Sequence, residues 1–231
     1  MWGLNWIIGF WKKPEGEASE EMDTLATVAG LSNVEPSDLR VLYDTATSLG
    51  LNPDHLAAIE SFESAKTFSP SVQNPRSHAT GVIQFYPNKS GMTSVGVTID
   101  QLKAMSFAEQ HRYVAKYFKP FGPLPTLQQA YMAVFNPGPG GKFVHTSDLD
   151  TIVARKGEPV YDLNPAFDPD NLGFFTVRQV VGAVQDVLSL AKSKPRTPVP
   201  PRSSSLAGSS SGGIGDAILV AAIAYLAHKL S

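Results

Sequence analysis

Glu63 is the side chain in this sequence best placed to do chemistry. It lies near the end of an apolar run, "DHLAAIESFESA", in which Leu56, Ile59 and Phe62/Glu63 recur at helical spacing. That spacing puts the carboxyl at the edge of the core-facing side. A carboxyl half surrounded by apolar groups favours its neutral form, and a general acid must hold its proton near neutral pH. Glu60, three residues earlier, is expected to face water more fully and to do nothing. Other chemistries find little support. The chain has no Cys, which excludes disulfides, thiolate catalysis and Cys-ligated metal. The five His residues show no HExxH or other tight ligand spacing, so neither a metal nor a cofactor is expected. "DPDNLGFFTVRQ" has the Asp168, Asp170 and Gly173 of a calcium loop, but Leu172 and Gln179 stand where two further oxygen ligands belong. It reads as a turn leading into a helix cap. With 19 basic and 21 acidic residues and no basic stripe, a nucleic-acid partner is not expected.

The elements that must position Glu63 are mainly helical. Pro36-Ser37 precedes "DLRVLYDTATSL", which stops at Gly50, and Asn52-Pro53 supplies an N-cap and a first-turn proline for the helix of Glu63. Ser106 with Glu109, Thr126 with Gln129 and Thr176 with Gln179 have capping-box spacing ahead of three further helices. The last of these carries Val180, Val184, Val187 and Leu188 on one stripe. "GVIQFY" is the one short candidate strand. A folded α-rich domain over residues 34–193 with a small β or loop element is therefore expected. Residues 194–213, "KPRTPVPPRSSSLAGSSSGG", read as a linker that cannot bury a core.

Both ends carry apolar sequence. Residues 1–13 hold Trp2, Trp6 and Trp11 among Ile7, Ile8 and Phe10, followed by Lys12 and Lys13, a pattern suited to a membrane interface. No charged leader or small-residue cleavage site is evident, so a cleaved signal peptide is not expected. Residues 214–231 contain eleven uninterrupted apolar residues, 217–227, and are expected to form a terminal hydrophobic helix. That is short of the roughly 20 residues of a span, yet apolar on every face, which points to a membrane or a helical assembly.

Three segments carry a resemblance. Glu63-Ser64, then Ala79-Thr80-Gly81-Val82-Ile83-Gln84, then Ala133-Val134-Phe135-Asn136-Pro137-Gly138 occur in the order found in lysozyme-like lytic transglycosylases. The resemblance covers about residues 38–145. It extends to soluble lytic transglycosylases and goose-type lysozymes, and is nearest the phage-encoded branch. It implies a lysozyme-like fold and an enzyme acting on peptidoglycan glycan strands. Glu63 would be the catalytic acid, with Ser64, Gly81, Gln84, Phe85, Tyr86, Tyr131, Phe135 and Asn136 around the substrate. Gly81 would let the backbone approach a sugar, and Gln84 would offer its amide to acetamido groups. Phe85, Tyr86, Tyr131 and Phe135 would wall the pyranose rings, although rings of this kind serve equally well as core. Asn136 before Pro137 also reads simply as a helix stop.

The chain departs from the family pattern in two places: "AKTF" lengthens the loop after Glu63-Ser64, and Phe135 stands where the family generally has Tyr. No second acid accompanies Glu63 in the matched motifs, whereas most glycosidases use a pair. The resemblance then implies that Glu63 protonates the β-1,4 oxygen between N-acetylmuramic acid and N-acetylglucosamine. It next takes the proton of the muramoyl C6 hydroxyl, closing a 1,6-anhydro ring, with lysozyme-type hydrolysis as the alternative. Local wall opening from a phage virion, or from a bacterial membrane facing the wall, fits this enzyme, with virion proteins as possible partners. The rival expectation is a structural or assembly protein of the particle that keeps the domain to bind glycan with little or no activity.

Overall fold

The structure is a computed structural model, and it describes residues 22–202. The apolar segments 1–13 and 214–231 lie outside these residues. Among the described residues no helix is long and apolar enough to cross a membrane.

The described chain is mainly α, as its capping signals require. Helix α1 (Pro36–Ser48) begins on a first-turn proline, and α2 (Pro53–Glu63) is capped by Asn52, whose side chain accepts from Asp54 N at 2.9 Å. Helix α3 (Ile99–Ala104) follows a Thr98/Gln101 capping box. The boxes Ser106/Glu109, Thr126/Gln129 and Thr176/Gln179 open α4 (Phe107–Phe118), α5 (Leu127–Phe135) and α8 (Val177–Ala191). Two short helices, α6 (Lys142–His145) and α7 (Pro159–Leu163), complete the set. There are four short strands among the described residues. β1 (Thr24–Leu25) pairs antiparallel with β4 (Thr197–Pro198), and β2 (Ile152–Arg155) with β3 (Phe174–Thr176).

Helix α2 is the centre of the fold. It packs against α1, α5, α8 and β1, and residues Leu56 to Ser61 are all buried. A helix enclosed in this way has no solvent face, which is why two alanines and a serine accompany its Leu and Ile.

Two expectations need correction. The "GVIQFY" segment is not a strand. Thr80 and Phe85 form an isolated bridge closed by Phe85 N to Thr80 O at 2.8 Å and Thr80 N to Phe85 O at 3.1 Å. Gly81 and Gln84 between them have φ of 89° and 53°, so the chain reverses there instead of extending. The expected linker, for its part, does not leave the domain at residue 194. Residues 194–202 pack along it: Val199 is buried, and Arg196 makes a two-pronged contact with Asp54 at 2.9 Å. Arg40 donates to Asp23 at 2.7 Å and to the Pro200 carbonyl at 2.6 Å, and Arg202 pairs with Asp44 at 2.9 Å. The folded unit thus also takes in residues 24–33, with Leu25, Val28 and Leu31 in the core.

Candidate active site

Glu63 is the last residue of α2 and is half-buried on a cleft of about 870 Å³. That volume is within the range of about 300–1,000 Å³ usual for ligand pockets. Residues 74–96 supply part of the lining, α4 supplies Lys116 and Tyr117, and residues 137–167 supply much of the rest. Phe62, Ile83, Val134 and Phe135 are among the apolar residues that line the same cleft. Glu63 is also the only carboxylate among the described lining residues.

Tyr131, fully buried on α5, turns its hydroxyl toward that carboxylate. Burial, first, and the nearby charge of Glu63 hold the phenol's pKa well above its usual 10.0. No group among the described residues completes a hydrogen bond to the hydroxyl. The Tyr131 ring is fixed edge-on by Phe62 at 5.8 Å and lies 6.1 Å from Phe135. A phenol beside a carboxylate is a potential donor to its ionised form.

The sequence motifs divide in the structure. Gln84, Tyr86, Tyr131 and Phe135 line the cleft with Glu63, whereas Ser64, Gly81, Phe85 and Asn136 do not. Ser64 is buried, and its hydroxyl accepts from Phe68 N at 2.9 Å. It organises the "AKTF" loop, in which Ala65, Lys66 and Phe68 all have positive φ. That loop is held down by Lys66 N to Ser61 O at 2.6 Å and by Asn33 Nδ2 to Lys66 O at 3.1 Å. Gly30 is required beneath it, because a Cβ there would lie 1.8 Å from Lys66 O. Such a run of left-handed residues directly behind an acid is strained backbone at a site, held by its surroundings.

Gly81 is a glycine because of packing. A Cβ on it would stand 2.3 Å from Gln110 Oε1, at a φ of 89°. Gln110, buried on α4, was not marked by any motif, yet it clamps the whole turn. Its Oε1 accepts from Val82 N at 2.8 Å, and its Nε2 donates to Pro70 O at 3.0 Å and Leu102 O at 3.3 Å. Gln84 lines the cleft, but its amide nitrogen donates to Gly81 O at 3.0 Å and, weakly, to Val72 O at 3.4 Å. Phe85 is core, 1% exposed and edge-on to Tyr117 at 5.9 Å. Asn136 ends α5 and accepts from Gly138 N at 3.0 Å, a local turn. Phe135 on the cleft packs edge-on to Phe167 at 5.1 Å and Phe175 at 6.1 Å, which leaves its ring apolar neighbours on that side. Asp168 is occupied by the turn it sits in, accepting from Tyr161 Oη, Leu172 N and Gly173 N at 2.7–2.8 Å.

Glu60 is the largest departure from expectation. It is fully buried, and its Oε1 lies 3.0 Å from Nε2 of His111, itself 2% exposed. Neither carboxylate oxygen of Glu60, nor His111 Nε2, has another partner among the described residues. His111 Nδ1 faces Phe107 O at 3.1 Å, so that nitrogen carries a proton, and Nε2 is turned to the Glu60 carboxylate. Burial works to lower the imidazole's pKa, but the charge and hydrogen bond of Glu60, the Phe107 carbonyl and the charge of Asp38 outweigh it, and the net direction is upward.

No protein-family model matches the chain, and no curated protein matches it in sequence.

Proposed function

We propose that the domain is a peptidoglycan lytic transglycosylase, cutting the β-1,4 bond between N-acetylmuramic acid and N-acetylglucosamine. One observation carries the reading: Glu63 is the single carboxylate of the described cleft lining and stands close enough to the buried Tyr131 phenol to shift its pKa. A single acid can protonate the glycosidic oxygen and then, as a carboxylate beside Tyr131, accept the proton of the substrate's own C6 hydroxyl. An intramolecular hydroxyl has a proximity advantage over water, which favours 1,6-anhydro products. Tyr86, about one-third exposed on the cleft, is suited to stack on a sugar face.

The reading extends to a phage particle or a membrane facing the wall as the setting. The described chain begins and ends side by side, with Val199 N donating to Asp23 O at 2.9 Å and Arg40 joining Asp23 to Asp44. Stable anchoring generally takes two signals, and the sequence carries an apolar segment on each side of the described domain. A second reading, a glycan-binding assembly protein with little turnover, draws on Gln84, whose amide nitrogen is spent on its own loop.

Incubating the protein with murein sacculi and weighing the soluble products by mass spectrometry separates the readings. Muropeptides ending in 1,6-anhydro-muramic acid are expected. Free reducing ends would assign hydrolysis, and sacculi bound without release would assign the binding protein.

A further inference from the structure

The chain carries a formal net charge of −2, yet its cleft is lined by Arg76 and Lys116 against the one carboxylate of Glu63. Proton transfer at a glycosidic bond uses neither cation. Arg76 is exposed and makes no ion pair among the described residues; Arg40, Arg178, Arg196, Arg202 and His111 make all of those. The Arg76 backbone is fixed, with its N–H donating to Asn74 Oδ1 at 2.9 Å. Asn74 N to Ala79 O and His78 N to Asn74 O, both 2.9 Å, close the base of the same loop. Lys116 donates to Val95 O at 2.9 Å, which holds the ammonium against the lining and leaves two of its three donors for a ligand.

We propose that Arg76, supported by Lys116, forms an anion subsite of the cleft that reads carboxylates carried by the peptidoglycan strand. The inference rests on the muramidase reading and names the form of the substrate. A guanidinium suits this task because its planar fork meets a carboxylate with two parallel hydrogen bonds. The contact is solvent-exposed, so its effect is modest and sensitive to salt.

The test compares native sacculi with sacculi whose carboxylates have been converted to amides, using full-length protein and Arg76→Gln and Arg76→Lys. Wild type is expected to half-saturate on native murein at roughly fivefold lower concentration than on amidated murein, the scale of one exposed charge pair. High salt should close that gap. Arg76→Gln should close it too, with kcat on native murein retained, and Arg76→Lys should restore part of it. Equal half-saturation of wild type on both substrates, or the same Arg76→Gln defect on both, overturns the subsite while leaving the muramidase reading intact. If wild type releases nothing from either substrate, that reading fails on its own. Pelleting of Glu63→Gln protein with the two kinds of sacculi then judges the subsite: preference for native murein supports it, and equal pelleting or none overturns it.

Discussion

Replacing Glu60, one turn before the acid, should unfold the domain far more readily than replacing Glu63 itself. The pair with His111 spans 3.0 Å, with both side chains at most 1% exposed. Removing one partner of such a pair leaves the other buried and uncompensated, at roughly 3–5 kcal/mol. For a domain of this size each kcal/mol lowers Tm by about 2–4 °C, so Glu60→Ala should lose on the order of 10 °C. Glu60→Gln should lose much less, because a neutral imidazole can accept from the amide at Nε2 while Nδ1 still donates to Phe107 O. The pH dependence has a definite sign. Folding raises the pKa of His111 above its usual 6.5, so its contribution is complete below about that pH and fades as pH climbs through the raised value. Wild-type stability in urea should therefore fall from mildly acidic toward alkaline pH, and Glu60→Gln should flatten that slope. Urea midpoints across this range, for wild type and both variants, are the assay. An unchanged midpoint for Glu60→Ala, or a slope that survives Glu60→Gln, refutes the pairing as the source of the effect.

Glu63→Gln keeps shape and removes the transferable proton, so release of muropeptides should drop by about 100-fold or more while the melting curve stays within about 0.5 kcal/mol of wild type. Tyr131→Phe removes the potential donor to the ionised acid; kcat should fall by about tenfold or more, and the basic limb of the pH–rate profile should move to higher pH, because the carboxylate is then less favoured. Gly81→Ala should cost about 3 kcal/mol in urea titrations, combining a left-handed alanine with displacement of the Gln110 side chain 2.3 Å away. Phe135→Tyr should retain cleavage of sacculi, and a collapse of activity together with Tm would place that ring in the core formed with Phe167 and Phe175.

The local signals were legible and the long-range ones were not. Asn52, Ser106, Thr126 and Thr176 announce their helices because a cap and its target lie within a few residues of one another. Helical spacing also put Glu63 at an edge, where the cleft now lies. The same spacing failed for Glu60, since it assumes a helix with a wet face and α2 has none; Ala57, Ala58 and Ser61 on the same helix were the overlooked sign. Gly81 was read for a ligand because nothing near it in sequence names Gln110, 29 positions on, as the group that fills its space. The Pro-rich stretch after 193 was read as free chain for a similar reason. Its partners, Asp23, Asp44 and Asp54, lie more than 140 residues earlier.

These misses share an element, and together they explain how the site is held. Gln110 and His111 are adjacent on α4: the first clamps the turn that carries Gln84 to the cleft, and the second grips α2 one turn before Glu63. Tyr117, two turns further along, lines the cleft and ties α4 to α5 through its hydroxyl to Ala133 O at 2.9 Å, on the helix that delivers Tyr131. Acid, phenol and lining turn come from three separate stretches of chain, and α4 contacts each through a polar group. Apolar packing tolerates small slips between helices, whereas a buried hydrogen bond or ion pair misaligned by a fraction of an ångström leaves a polar atom unpaired. Catalytic groups must be held within about half an ångström of their working geometry, and a strut of buried polar contacts meets that demand where a greasy one would not. The stability given up in burying Gln110, His111 and Glu60 is thus spent on the precision of a site whose own residues are few.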